Sequence, residues 1–67
     1  MNEDALNGSV RKFLKKVGVT AQREIEKAVR EAVSTGRLKE VSLPAKAMIR
    51  LDGVGLSFEI DGTIELE

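Results

Sequence analysis

Few residues in this chain could carry chemistry, and each has a competing structural explanation. Asp52-Gly53-Val54-Gly55 contains a Gly-x-Gly step of the kind that lets backbone amides approach phosphate. Phosphate loops also need a third glycine and a helix N-terminus to supply free amides and a positive dipole end, and neither follows here. A hairpin turn is the better explanation. Glu59, Asp61, Glu65 and Glu67 recur at alternate positions, which on a strand puts their carboxylates on one face. Such a face can hold a divalent cation weakly, but no Asp-x-Asp-x-Asp loop is present, and a solvated strand face explains the pattern. Ser9, Ser34, Ser42 and Ser57 have no histidine to activate them, and no lysine stands in a recognisable Ser-Lys context. The chain has no His, Cys, Tyr or Trp, and 67 residues are too few to enclose a pocket of several hundred Å³ within one chain. Catalysis is therefore not expected, and neither a cofactor nor a metal is expected.

The basic residues are the remaining candidates. Val17-Gly18-Val19-Thr20 resembles the turn of a DNA-binding helix-turn-helix, with Thr20 capping a recognition helix on which Arg23, Lys27 and Arg30 would face phosphate or base edges. In that motif apolar residues follow the turn glycine by six and nine positions. Here those positions hold Glu24 and Lys27, and the apolar residues come one later, at Ile25 and Ala28. One residue rotates a helix by about 100°, so a helical hairpin of structural purpose is preferred and nucleic-acid binding through Arg23, Lys27 and Arg30 is the alternative.

Size and charge bound the rest. A single domain of 67 residues buries only about 60% of its unfolded surface, and without Cys or His no disulfide or zinc site can supplement the core. Oligomerisation is the remaining source of stability. The zero net charge conceals an arrangement: residues 1–39 carry nine Lys and Arg against five Asp and Glu, while residues 40–67 carry two against six, so +4 is joined to −4. The helical part is basic and the C-terminal part acidic. Solvated faces explain this, and opposed charge can also orient subunits within the screening length of about 8–10 Å. No apolar run approaches a membrane span, and Asn2-Glu3-Asp4 is the reverse of a basic signal-peptide start, so a cytoplasmic protein of bacterial type is expected.

The elements follow from periodicity. Val41, Leu43, Ala45, Ala47, Ile49 and Leu51 occupy odd positions, then Val54, Leu56, Phe58, Ile60 and Ile64 even ones. This phase switch across Asp52-Gly53 predicts an antiparallel hairpin of about 45–51 and 54–66, with Leu51 facing Val54, Ile49 facing Leu56 and Ala47 facing Phe58. Pro44 has no amide hydrogen, so pairing before it is doubtful unless the missing donor points outward. After Ile60 the chain either continues to Leu66 as one strand bent at Gly62, the preferred solution, or turns over Asp61-Gly62-Thr63 into a short third strand at 63–66. Upstream, Asn2 caps a first helix of about 3–17, with Glu3 and Asp4 at its positive end and Leu6, Val10, Phe13, Leu14 and Val17 on one face. Gly18 stands where a left-handed C-cap is wanted. Thr20 then caps a second helix of about 21–35, with Ile25, Ala28, Val29, Ala32 and Val33 on one face and Glu26/Arg30 and Lys27/Glu31 pairs on the other.

Residues 1–67 are thus read as a single α+β domain of two N-terminal helices and a hairpin. A two-stranded ribbon is rarely stable alone and its edges invite pairing, so a homodimer is expected, with a shared four-stranded sheet or packed helices. Phe13 and Phe58 are the only aromatics and lie on core faces, which argues against RNA stacking. Helix one cannot spare its apolar stripe for a membrane surface.

Met1-Asn2-Glu3-Asp4-Ala5, Arg11-Lys12-Phe13-Leu14-Lys15, the stretch from Val17-Gly18-Val19-Thr20 through Gln22-Arg23-Glu24-Ile25-Glu26-Lys27-Ala28-Val29-Arg30, and Ile64-Glu65-Leu66 together resemble a family of very short, uncharacterised proteobacterial proteins. The resemblance spans nearly the whole chain and implies a free-standing cytoplasmic protein of this length. It carries no catalytic or binding residues to transfer. The reading is a small non-catalytic, homodimeric interaction or accessory protein, with an unidentified protein partner and, as the alternative, weak nucleic-acid binding by the basic helical half. A metabolite site is a third class, and it would have to lie at the dimer interface.

Overall fold

The computed structural model describes residues 1–67 as one helix and one hairpin: α1 Glu3–Ser34, β1 Ser42–Leu51 and β2 Leu56–Glu65. The architecture is α+β, but there is one N-terminal helix where two were expected over 3–17 and 21–35. Both ends of that helix are those read from the sequence. Asn2 accepts a hydrogen bond at its side-chain oxygen from the Ala5 amide at 3.1 Å, and Glu3 and Asp4 fill the first turn. At the other end Gly36 takes φ 74°, the Gly36 amide donates to Val33 O at 3.1 Å and the Arg37 amide to Ala32 O at 3.0 Å. That pair of bonds is a Schellman cap, and glycine is the residue that adopts its left-handed position without a Cβ clash.

The expected break at Val17-Gly18-Val19-Thr20 does not form. Gly18 is absent from the left-handed region, and the helix runs through it and through Thr20. Energetics explain the correction. A glycine inside a helix costs about 1 kcal/mol relative to alanine, whereas ending one helix and starting another orphans four carbonyls and four amides. The apolar pattern also carries across the site. Leu6, Val17 and Ala28, Val10, Ala21 and Ala32, and Leu14 and Ile25 are each eleven residues apart, and eleven residues leave a helix only about 20° out of phase. Two stripes that suited two helices therefore join as one stripe on one helix. Nothing in the tertiary structure rewards the break.

In the hairpin, β1 and β2 pair with Leu51 opposite Leu56, Ile49 opposite Phe58, Ala47 opposite Ile60, Ala45 opposite Gly62 and Leu43 opposite Ile64. The expected pairing slips by two residues, because the loop holds four residues, Asp52–Gly55, rather than the Asp-Gly pair alone. A two-residue primed turn would force Asp52 to positive φ. The four-residue loop puts only glycines there, Gly53 at 95° and Gly55 at 65°. A slip of two preserves the parity of every side chain, so the apolar face is the one expected. No third strand forms at 63–66, since β2 is continuous through Gly62.

Pro44 lies within β1, opposite Thr63. The Leu66 amide donates to Val41 O at 2.8 Å, and bonded positions alternate along an antiparallel ladder, so odd residues of β1 bond to even residues of β2. Pro44 is even, and its missing donor points away from β2.

The helix lies across the apolar face of the hairpin. Ala21 and Ile25 confront Ala45, Ala47 and Ile60, and Val29 confronts Ile64 and Leu66, over open grooves. No helix Cα comes within 8 Å of a strand Cα. No helix is long and apolar enough to cross a membrane.

A direct check of the unbroken helix is Gly18→Ala. Open space surrounds a Cβ at Gly18, so the variant is expected to gain about 0.5–1 kcal/mol in urea unfolding. Gly36→Ala is expected to lose about 1 kcal/mol or more. A loss at Gly18 of the size seen at Gly36 would restore the two-helix arrangement.

Candidate functional site

One long helix changes where the basic residues stand. Arg23, Lys27 and Arg30 are exposed on α1, and no turn separates their segment from the preceding one, so there is no helix-turn-helix here. Helical spacing places Lys12 and Lys16 within about 60° of the same three residues, on the side away from the apolar stripe. The only ion pair on this surface joins Arg30 Nη2 to Glu26 Oε1 at 3.7 Å, four residues apart, and Gln22 donates to the same carboxylate at 3.1 Å. The companion pair expected between Lys27 and Glu31 does not form. Sequence reading identified three of these five cations, because the other two had been assigned to a separate helix.

The acidic positions of β2 face the side of the sheet away from the helix. Lys46 Nζ sits 3.2 Å from Glu59 Oε2 and 3.8 Å from Asp61 Oδ1, so these carboxylates are partnered by an ammonium group. No three acidic side chains converge on a point where a cation could be held. Asp52 pairs with Arg50 at 3.2 Å at the loop, and the Gly-x-Gly step is spent on the positive-φ turn described above. Ser9 and Ser34 donate their hydroxyls to Leu6 O and Glu31 O at 3.1 and 3.0 Å, local bonds within the helix.

What the sequence did not reveal is how little of the apolar layer the chain covers for itself. No residue of the 67 is buried. Phe13 is 51% exposed, Leu14 51%, Leu56 44%, Phe58 42% and Ile60 55%. The covering is also uneven. On β1, Leu43, Ala45 and Ile49 are partly covered and Ala47 and Leu51 are exposed, whereas on β2 only Ile64 is partly covered and Leu56, Phe58 and Ile60 lie open. The molecule measures 51 × 19 × 18 Å with a radius of gyration of 15.9 Å, against about 11 Å for a compact chain of this length. Its accessible surface of 6081 Å² exceeds by about 1,900 Å² the roughly 4,200 Å² of a folded monomer of 7.3 kDa. The dominant feature is therefore a continuous apolar layer open along the β2 side.

The chain matches, over residues 1–67, the model of a family described as a family of unknown function (DUF6494), and it belongs to that family. No curated protein and no solved structure matches it.

The Lys46 cluster tests whether the polar sheet face is solvated. Lys46→Ala is expected to cost less than about 1 kcal/mol in urea unfolding, with the difference largely gone in 1 M NaCl. A salt-insensitive loss above about 2 kcal/mol would place these charges inside an interface.

Proposed function

We propose that this member of the family is a non-catalytic, homodimeric interaction module, on which an unidentified protein partner docks. One observation carries the reading: none of the 67 residues is buried, while Leu6, Phe13, Leu14, Leu56, Phe58 and Ile60 all stay open. Monomers rarely expose contiguous apolar patches beyond a few hundred Å², and larger patches mark association surfaces. The surplus of about 1,900 Å² per chain, doubled for two chains, falls within the 2,000–5,000 Å² of obligate homodimers. The proposal places the protein in the cytoplasm, on the sequence grounds given above.

Sedimentation equilibrium at low micromolar concentration is expected to return twice 7.3 kDa. Phe13→Glu or Phe58→Glu puts a charge into the layer, and is expected to abolish the dimer together with most of the cooperative unfolding signal, because an obligate dimer has no stable folded monomer. A wild-type species of 7.3 kDa that unfolds cooperatively would sink the reading.

A second reading, weak binding of nucleic acid, is favoured by the alignment of Lys12, Lys16, Arg23, Lys27 and Arg30 on one side of α1. This side is turned away from the apolar stripe, so self-association leaves it open. Duplex DNA binding followed by anisotropy is expected to weaken steeply between 50 and 200 mM salt, with log K falling by about 0.9 per phosphate contacted per unit of log salt. The combined change of Arg23, Lys27 and Arg30 to Glu is expected to abolish it. Binding insensitive to both salt and those changes would exclude the basic surface.

A further inference from the structure

We propose that the second copy docks along the outer edge of β2, giving a four-stranded antiparallel sheet in the order β1-β2-β2-β1 with both helices on one face. This rests on the self-association reading and names the surface it uses. Two observations point to that edge, and the surplus surface shows what joining there would cover.

The first is the supply of backbone groups. Bonded positions of the hairpin are odd on β1 and even on β2, so the outward amides and carbonyls belong to Ser42, Pro44, Lys46, Met48 and Arg50 on one edge and to Ser57, Glu59, Asp61, Thr63 and Glu65 on the other. Pro44 interrupts the donors of the β1 edge, a device that keeps strands from adding there. The β2 edge has an outward donor at every second residue. The second observation is the uneven cover of the apolar face. Of the apolar face left open, Leu56, Phe58 and Ile60 belong to β2 and only Ala47 and Leu51 to β1, so a neighbour arriving at the β2 edge extends the sheet where more of its apolar face lacks a lid. Area is compatible with this arrangement: strand addition about a twofold axis normal to the sheet sets the two helices side by side over the joined ribbons, so surplus surface of both layers can be covered together.

A second copy suits this edge better than a foreign strand because a strand pairing with itself about a twofold axis is antiparallel, and because the interface closes without leaving a free donor-rich edge. The two edges left exposed are then both β1, the edge carrying Pro44. Glu59, Asp61 and Glu65 bring like charge to the junction, and Lys46, at 3.2 and 3.8 Å from the first two, offsets part of it.

Lys46 and Asp61 face each other across the hairpin, and each directs its amide outward, one to either edge. Lys46→Pro and Asp61→Pro therefore impose comparable backbone costs on the same rung while blocking different edges, and each is compared with its alanine variant, Lys46→Ala or Asp61→Ala, which loses the same charge but keeps the amide. In sedimentation equilibrium of the full chain, Asp61→Pro is expected to weaken the dimer by about 30-fold or more, and Lys46→Pro by no more than about threefold. Equal effects of the two changes would overturn the proposal. Wild-type amide exchange gives a reading that does not depend on either variant folding. In the dimer, the Ser57, Glu59, Asp61 and Thr63 amides are expected to be protected to the same degree as Phe58 and Ile60, while Lys46, Met48 and Arg50 exchange as free amides. A dimer in which the Glu59 and Asp61 amides exchange as fast as those of Lys46 and Met48 would place the interface elsewhere and leave self-association standing. A monomer would remove both.

Discussion

The structure depends on one hydrogen-bond ladder running unbroken through Gly18. Because α1 does not turn back on itself, its apolar stripe has no second helix to meet. The hairpin is then the only internal partner for a helix of 32 residues. The hairpin covers that stripe only in part, and no apolar side chain of either layer is buried. The extended shape, the absence of any buried residue and the surplus surface are consequences of that single continuity.

The hairpin answers to a different constraint. Strand parity is set by the alternation of side chains, and any register that kept parity would present the same apolar face to α1. Among such registers the loop decides, and it decides by where positive φ falls. Gly53 and Gly55 absorb it, Asp52 does not, and the pairing moves by two residues without moving one side chain to the other face. Pro44 is compatible with a paired β1 because its position directs the missing donor outward, which in turn makes the two edges of the ribbon chemically unequal. That inequality is invisible in the apolar pattern and matters most once the ribbon is seen to be open.

Charge follows the same logic. With two helices, Lys12 and Lys16 would belong to a separate element from Arg23, Lys27 and Arg30, with independent orientation. On one helix they share a side, and a distribution that looked like a solvated surface becomes a continuous cationic strip opposite the apolar one. The acidic strand positions are engaged with Lys46 rather than gathered into a cation site. The molecule thus separates its surfaces by kind: apolar between the layers, cationic on the back of the helix, and ion-paired on the outer face of the sheet.

Sequence alone determined those features that depend on near neighbours. Asn2 as N-cap, the helix end near residue 35, the apolar faces of α1, β1 and β2, and a turn beginning after Leu51 all rest on spacings of a few residues, and local periodicity is enough to define them. Tertiary structure decided the rest. Whether Gly18 ends a helix or sits within one depends on what a folded-back helix would gain against eight orphaned backbone groups, and here it would gain nothing that the hairpin does not already supply. Register depends on closing a loop in which positive φ falls only on Gly53 and Gly55. The openness of the β2 side depends on the width of the sheet relative to the helix above it. Each of these is a competition between arrangements of the whole chain, and a competition of that kind leaves no signature at any one position.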